Sequence, residues 1–438
     1  MTRPARAGLD GGPTPPQTVR VATVLRSLTR DGRVLFFTRA VRLFAYGSLS
    51  VVLVLYLTGI GLDASRTGLL LTLTLAGDVA VSLWMATRAD RIGRRRMLIA
   101  GALLMASAGL VFAGTASFAL LLVAGTIGVI SPSGNEVGPF LPIEQAALAH
   151  IVPADRRTEA FAWYQLAGAF ATAAGSLAGG VLAQALQRTA ATPVESYRVV
   201  VVQYAVLAGV LAACFTRVSP AVELGAAEAR DAARHRWGVG PSRRVIEKLS
   251  ALFALDAFAG GFVVQSFAAY WFHLRFGVRP ATLGGIFFGA NLLAGLSALL
   301  ASRLASRLGL VRTMVFTHLP SNVLLILVPL MPSLGTATAV LFARFSISQM
   351  DVPTRQAYVM AAVGPAERSA AAGITGVART TGAAIAPLFA GWMFARPALW
   401  NVPFFVAGGL KIVYDLMLYR GFVGSEQRLT PHPPPPGT

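Results

Sequence analysis

Charge is scarce in this chain. Only 13% of its 438 residues are Asp, Glu, Lys or Arg, against about a quarter in an average soluble domain. Cysteine is almost absent: the single Cys214 excludes an intrachain disulfide and a Cys-based metal cluster. The first thirty residues are rich in Pro, Gly and Arg and lack the apolar core of a cleavable signal peptide. No G-x-x-x-x-G-K-[ST] phosphate loop is present, which argues against ATP drive within the chain. No G-x-S-x-G elbow or other nucleophile constellation argues for an enzyme, and nothing calls for a cofactor.

What is abundant is apolar. Hydrophobic residues make up 55% of the chain and the mean hydropathy is +0.62. Runs of about 20 apolar residues, enough to cross a bilayer, recur throughout. Twelve spans can be drawn, roughly 34–58, 66–87, 96–114, 117–150, 158–186, 198–217, 247–273, 281–302, 311–332, 335–362, 368–395 and 399–419. The expected fold is an all-α integral membrane protein with twelve transmembrane helices in two six-helix halves. Its units would be a disordered basic tail (1–33), a first half (34–217), a connector (218–246), a second half (247–420) and a Pro-rich tail (421–438). The fourth span is too long for one simple crossing, and Ser131-Pro132-Ser133-Gly134 should break it.

The net charge of +19 is nearly all Arg. Its placement speaks for membrane topology rather than nucleic-acid binding. Arg88, Arg91, Arg94, Arg95, Arg96, Arg156, Arg157, Arg217, Arg230, Arg234, Arg236, Arg303, Arg307 and Arg312 fall on alternate loops that would face the cytoplasm. This bias places both termini in the cytoplasm, by the excess of Lys and Arg in inside loops. A monomer in the plasma membrane is expected, with the lipid bilayer, a small molecule and protons as its partners.

The chain repeats itself. Residues 141–180, LPIEQAALAHIVPADRRTEAFAWYQLAGAFATAAGSLAGG, align with 352–391, VPTRQAYVMAAVGPAERSAAAGITGVARTTGAAIAPLFAG. Pro142, Gln145 and Arg157 meet Pro353, Gln356 and Arg368. Two like halves in a hydrophobic chain point to a transporter with its site between them.

Between spans 2 and 3 stands Ala86-Thr-Arg-Ala-Asp90-Arg91-Ile-Gly93-Arg94-Arg95-Arg96. Here the chain resembles the major facilitator superfamily, whose signature in this loop is G-x-L-A-D-R-x-G-R-R. Ala86 and Arg88 depart from that signature. A worn copy, Leu304-Ala305-Ser306-Arg307-Leu308-Gly309, stands in the second half. The resemblance implies that Asp90, with Arg91, Gly93 and Arg94, serves a cytoplasmic gate that locks the halves, an acid at a helix end facing a neighbour's N-terminal dipole. The plain alternative is a basic loop that sets topology. Span 5 carries Gly175-Ser176 and Gly179-Gly180, similar to the family's antiporter motif G-P-x-x-G-G with Ser176 in place of Pro. In the family that motif goes with drug–proton exporters; its mechanics are close helix approach, which any bundle needs.

Charges inside spans cost roughly 2.5–3.5 kcal/mol each on the insertion scale and usually face a cavity and pair. They are Arg39, Arg42, Asp78, Glu136, Glu144, Asp256, Arg344, Asp351, Arg355, Arg379, Lys411 and Asp415. The repeat equates Arg42 with Asp256 and Glu144 with Arg355, so the signs swap between halves. Pairs Arg42–Glu144 and Asp256–Arg355 are therefore expected, either for coupling or for plain neutralisation. Asp78, with no obvious partner on its own helix, and Glu136, beside the break, are the proton-carrier candidates; their structural readings are a packing hydrogen bond and a cap. Lys411 and Asp415, four apart, are expected to pair with each other. His318 is taken as packing. Trp163, Tyr164, Phe170, Phe258, Phe262, Tyr270 and Trp271 read as packing or interface aromatics rather than substrate contacts.

The expected function is secondary active transport of a small molecule by alternating access, as proton-coupled export of a drug-like or metabolite substrate. Two alternatives stand beside it. One is proton-coupled uptake of a small anionic metabolite, with Arg39, Arg42, Arg344, Arg355 and Arg379 supplying positive charge. The other is a transport-dead receptor or scaffold on the same fold.

Overall fold

A computed structural model describes residues 28–153, 156–223, 241–364 and 367–429. The N-terminal tail to residue 27, connector residues 224–240 and the Pro-rich end from 430 lie outside the described residues, and with them Arg230, Arg234 and Arg236. The described residues are helical and contain no strand. Fifteen α-helices are named here in chain order: α1 (Arg30–Gly59), α2 (Ala64–Ile92), α3 (Arg94–Gly114), α4 (Phe118–Ile127), α5 (Phe140–Ile151), α6 (Arg157–Arg188), α7 (Pro193–Phe215), α8 (Arg243–Gly261), α9 (Gln265–Phe276), α10 (Pro280–Leu308), α11 (Leu310–Leu327), α12 (Leu334–Ser348), α13 (Asp351–Ala362), α14 (Arg368–Phe394) and α15 (Val402–Leu429).

These make twelve crossings, because α4–α5, α8–α9 and α12–α13 are broken helices occupying spans 4, 7 and 10. With an even number of crossings, both described ends lie on one face, here called the terminal face. Among the described residues, nine helical segments, with 243–276 counted as one, are long and apolar enough to cross a membrane. The split fourth and tenth spans and α14 fall outside that group. The break expected in span 4 is there, across residues 128–139. Those in spans 7 and 10 were not foreseen. In span 7 the helix gives way after Gly260-Gly261, which weaken it by offering no side-chain packing. Ser266 N–H, freed there, donates to Pro132 O in the span 4 break at 3.1 Å. Each interruption thus satisfies a backbone group of the other, which is how irregular backbone survives at membrane depth.

The halves share their local construction. α2 passes into α3 through Gly93 (φ +112°), and α10 into α11 through Gly309 (φ +91°). Both hold a left-handed backbone that a side chain would strain, which explains why glycine recurs in a loop whose acid has been lost from the second copy.

Between the halves, α6 packs along α10 and α2 along α14. Close approach occurs toward the face opposite the termini. A Cβ on Gly180 would lie 2.3 Å from Pro280 O and 2.9 Å from Gly284 Cα. One on Gly391 would lie 2.4 Å from Ala64 O. Only backbone fits there, so glycine at both seams closes that face by direct helix contact. Hydrogen bonds reinforce it. Gln265 Nε2 donates to Ser50 Oγ at 2.8 Å and Ser176 Oγ at 3.1 Å, Asn291 Nδ2 to Gln265 Oε1 at 3.0 Å, and Ala281 N–H to Gln184 Oε1 at 3.0 Å.

Candidate functional site

Two buried charge clusters sit toward the terminal face from this seam, one in each half. In the first half, α1 carries Arg39 and Arg42 inward. Arg42 is wholly buried and grips Glu144 of α5 with two parallel bonds, Nη1–Oε1 and Nη2–Oε2, both 2.7 Å. Its Nε reaches Glu136 Oε1 at 2.8 Å. Glu136 Oε2 also takes Arg39 Nη1 at 2.8 Å. Arg39 Nη2 donates to Gln165 at 2.5 Å, and Tyr164 OH and Thr38 Oγ1 donate to Glu144. Two arginines face two glutamates, so this cluster is neutral and dense with hydrogen bonds, the condition under which a buried pair is tolerated.

Glu136 stands in the span 4 break but caps no helix, since both of its oxygens are held by arginines. Asp78 of α2 has an intrahelical partner after all: Ser82, four residues on, donates to it at 3.2 Å. Asp78 Oδ1 also takes the backbone N–H of Gly138 at 2.6 Å. It thereby satisfies a donor that the break would leave without a partner.

The second-half cluster centres on Asp256 of α8. Lys411 Nζ approaches Oδ1 at 2.5 Å, while Arg355 Nη1 and Arg379 Nη1 lie 3.3 and 3.6 Å from Oδ2. Arg355 also donates to Asp351, one turn before it on α13, at 2.8 Å. The structure therefore brings Arg42 to Glu144 and Arg355 to Asp256.

Two expectations fail here. Lys411 does not pair with Asp415, because Asp256 of α8 takes it. Asp415 instead meets His318 Nδ1 at 2.8 Å and Asn322 Nδ2 at 2.9 Å. His318 is consequently no packing residue. Its Nε2 faces Asp256 Oδ1 at 3.7 Å, so one imidazole stands between two buried carboxylates. The spacings Asp351–Arg355 and His318–Asn322, each i,i+4, were visible in the sequence and signalled shared helix faces. The partnership of α11 with α15 was not.

Arg344 Nε and Arg379 Nη1 are buried without a hydrogen-bond partner. Arg344 forms no ion pair among the described residues and lies over the Phe345 ring at 4.8 Å. Four cations (Arg344, Arg355, Arg379, Lys411) face three carboxylates (Asp256, Asp351, Asp415) in this half.

At the terminal face Asp90 binds Arg94 Nε at 2.9 Å, within its own loop. An acid does cap a helix N-terminus nearby, but it is Glu223, which follows α7. Glu223 accepts from the N–H groups of Arg94 (2.7 Å) and Arg95 (3.0 Å), and Arg94 Nη1 reaches Val222 O at 2.9 Å. Glu223 fits because two free N–H groups at the start of α3 attract a carboxylate. Arg91 is exposed. In α6, Gly175 and Gly179 admit the backbone of α1: added Cβ atoms would lie 2.0 Å from Phe44 O and 2.5 Å from Ser48 O. Gly180 faces α10. Ser176, where the family motif has Pro, puts a hydroxyl among Gln265 and Asn291 at the seam.

Twelve crossings in two like halves, joined by glycine seams and broken helices with buried charges behind them, define a secondary-transporter bundle. The family model described as Major Facilitator Superfamily matches residues 35–350, and the chain belongs to that superfamily. An uncharacterized membrane protein of Saccharomyces cerevisiae is 32% identical over 430 residues, covering 92% of this chain and 96% of that one. The quinolone resistance protein NorA of Staphylococcus aureus is 26% identical over 130 residues, covering 30% of this chain and 32% of NorA. Among solved structures, a variant of the nucleoside transporter NupG superposes with a TM-score of 0.70 at 13% identity, covering 90% of this chain and 100% of that one.

Proposed function

We propose that this secondary transporter moves a small organic anion together with a proton. The observation that carries the reading is the pair of buried guanidinium nitrogens without a hydrogen-bond acceptor, Arg344 Nε and Arg379 Nη1, the first on an arginine with no ion pair among the described residues and the second only 3.6 Å from Asp256. Buried N–H donors without acceptors are costly, and a carboxylate or phosphate matches their geometry. The surplus cation in the second half has the same sign preference. The first-half cluster also leaves one arginine nitrogen, Arg39 Nε, without a partner, but its two arginines and two glutamates balance, so it lacks that surplus.

Proton coupling follows from Asp256 and His318. In the tautomer that gives its Nδ1–H to Asp415, His318 presents Nε2 to Asp256. An anion bound at Arg379 draws that arginine from Asp256. A proton taken at His318 Nε2 replaces it with a new cationic partner, so anion and proton load together. Histidine is suited to this because its imidazole can both give and take a proton. Asp78 and Glu136 then act structurally, at the break and between two arginines. With termini in the cytoplasm of a plasma-membrane protein, the seam closes the outer face, and the load enters or leaves on the inner one. Asp90 and Arg94 would tie the inner loop rather than bridge the halves.

Proton-coupled drug export is the second reading, favoured by the partial likeness to a quinolone resistance protein. Proteoliposomes decide between them: labelled organic anions and lipophilic cations are offered under an imposed pH gradient, to wild type, Arg344→Gln, Arg379→Gln and His318→Gln. Saturable anion flux that weakens in both arginine variants and loses its pH dependence in His318→Gln supports the proposal. Proton movement driven by cations, with anions inert, sinks it.

A further inference from the structure

A cavity of about 430 Å³ opens at the terminal face, between the first two turns of α1 and the end of α7, lined by Arg30, Arg33, Val34, Phe37, Cys214 and Arg217. The α1 residues follow the spacing i, i+3, i+4, i+7, one face of a helix. That face has two chemistries in order. Three guanidiniums sit at the end of the spans, where headgroups lie, and Val34 and the half-exposed Phe37 continue inward along the hydrocarbon.

None of the three arginines has an ion-pair partner among the described residues. The acid nearest them in sequence is spoken for: Asp31 is buried, with Oδ1 accepting from Ser219 N–H at 3.0 Å and Oδ2 from Ser219 Oγ at 2.5 Å. These bonds do a second thing. They tie the first turn of α1 to the residues just after Arg217, which brings Arg30 and Arg33 of α1 and Arg217, in the turn after α7, to one mouth. A lone snorkelling arginine reaches the interface anywhere; three of them gathered around a cavity make a place for a phosphate.

We infer that this cavity binds the phosphate headgroup of an anionic phospholipid, with Phe37 against its acyl chain. Phosphate suits guanidinium forks, and basic pockets between spans on the cytoplasmic side take such headgroups. An occupant there would brace α1, the helix that carries Arg39 and Arg42.

The one cysteine of the chain, Cys214, lies in the wall and reports on occupancy. The full-length protein is placed in nanodiscs of phosphatidylcholine alone, or with a fifth of the lipid replaced by phosphatidylglycerol, and N-ethylmaleimide labelling of Cys214 is followed by mass spectrometry. The expected result is slower labelling with phosphatidylglycerol, and loss of that protection in Arg30→Gln/Arg217→Gln by on the order of tenfold in the lipid needed. Arg96→Gln, a change outside the cavity, keeps the protection. Native mass spectrometry gives an independent count of retained phosphatidylglycerol should the double variant express poorly. Equal labelling in both lipids overturns the proposal. So does equal protection by inorganic phosphate in phosphatidylcholine discs, which would make the site one for free phosphate.

Discussion

Arg42 and Glu144 invite a double-mutant cycle, because the structure makes their single removals unequal. Both are fully buried. In Arg42→Gln, Glu144 keeps only the hydroxyls of Tyr164 and Thr38 as donors, so an uncompensated charge stays in the interior. Removing one partner of a buried pair costs about 3–5 kcal/mol. Glu144→Gln is milder: Arg42 retains Glu136 at 2.8 Å and loses one of two counter-charges, a cost of about 1.5–3 kcal/mol on the scale of a charged hydrogen bond. In the double variant Glu136 still holds Arg39 at 2.8 Å, so charge remains balanced. Its cost should fall below the sum of the singles by at least about 1 kcal/mol, within the range of couplings measured for contacting residues. Unfolding in mixed micelles, read by tryptophan fluorescence against denaturant, supplies the free energies. Additive losses, or Glu144→Gln costing more than Arg42→Gln, would refute the reasoning.

The other predictions address the seam, the cap and the break. Gly180→Ala drives a Cβ into Pro280 O and should disfavour closure at the face opposite the termini by about 1–3 kcal/mol, roughly 5- to 150-fold in population. Thiol labelling of Ser50→Cys in a Cys214→Ser background should rise accordingly, and an unchanged rate would mean that the seam does not hold the closed state. Glu223→Ala should cost about 1 kcal/mol of stability, as for other lost N-caps, while Glu223→Asp recovers part of it; a thermal-shift series distinguishes the three. Asp78→Asn keeps an acceptor for Gly138 N–H and should retain transport, whereas Asp78→Leu leaves that donor unpaired at about 1–3 kcal/mol. Loss of proton coupling in a stable Asp78→Asn would restore Asp78 as the carrier.

Much of the architecture was legible in one dimension. A membrane solvent imposes a length on each apolar run, and a repeated sequence imposes a repeated fold, so span number, the two halves and the break at Pro132 could be read directly. The sign-swapped alignment even pointed to Arg42 with Glu144 and Asp256 with Arg355, because equivalent positions in like halves occupy equivalent depths. What the alignment could not supply is rotation about each helix axis. Whether Lys411 turns to Asp415 on its own helix or to Asp256 on another depends on how α15 lies against α8. That His318 faces two carboxylates depends on α11 packing against α15. The break in span 7 was hidden because nothing forces it locally; a carbonyl from the other half accepts the N–H that it frees. Composition and periodicity determined that this chain crosses the membrane twelve times as two related units. Tertiary structure alone decided which buried charges are satisfied and which, at Arg344 Nε and Arg379 Nη1, keep a nitrogen without a hydrogen bond, since a charge's partner is set by three-dimensional proximity and not by its place along the chain.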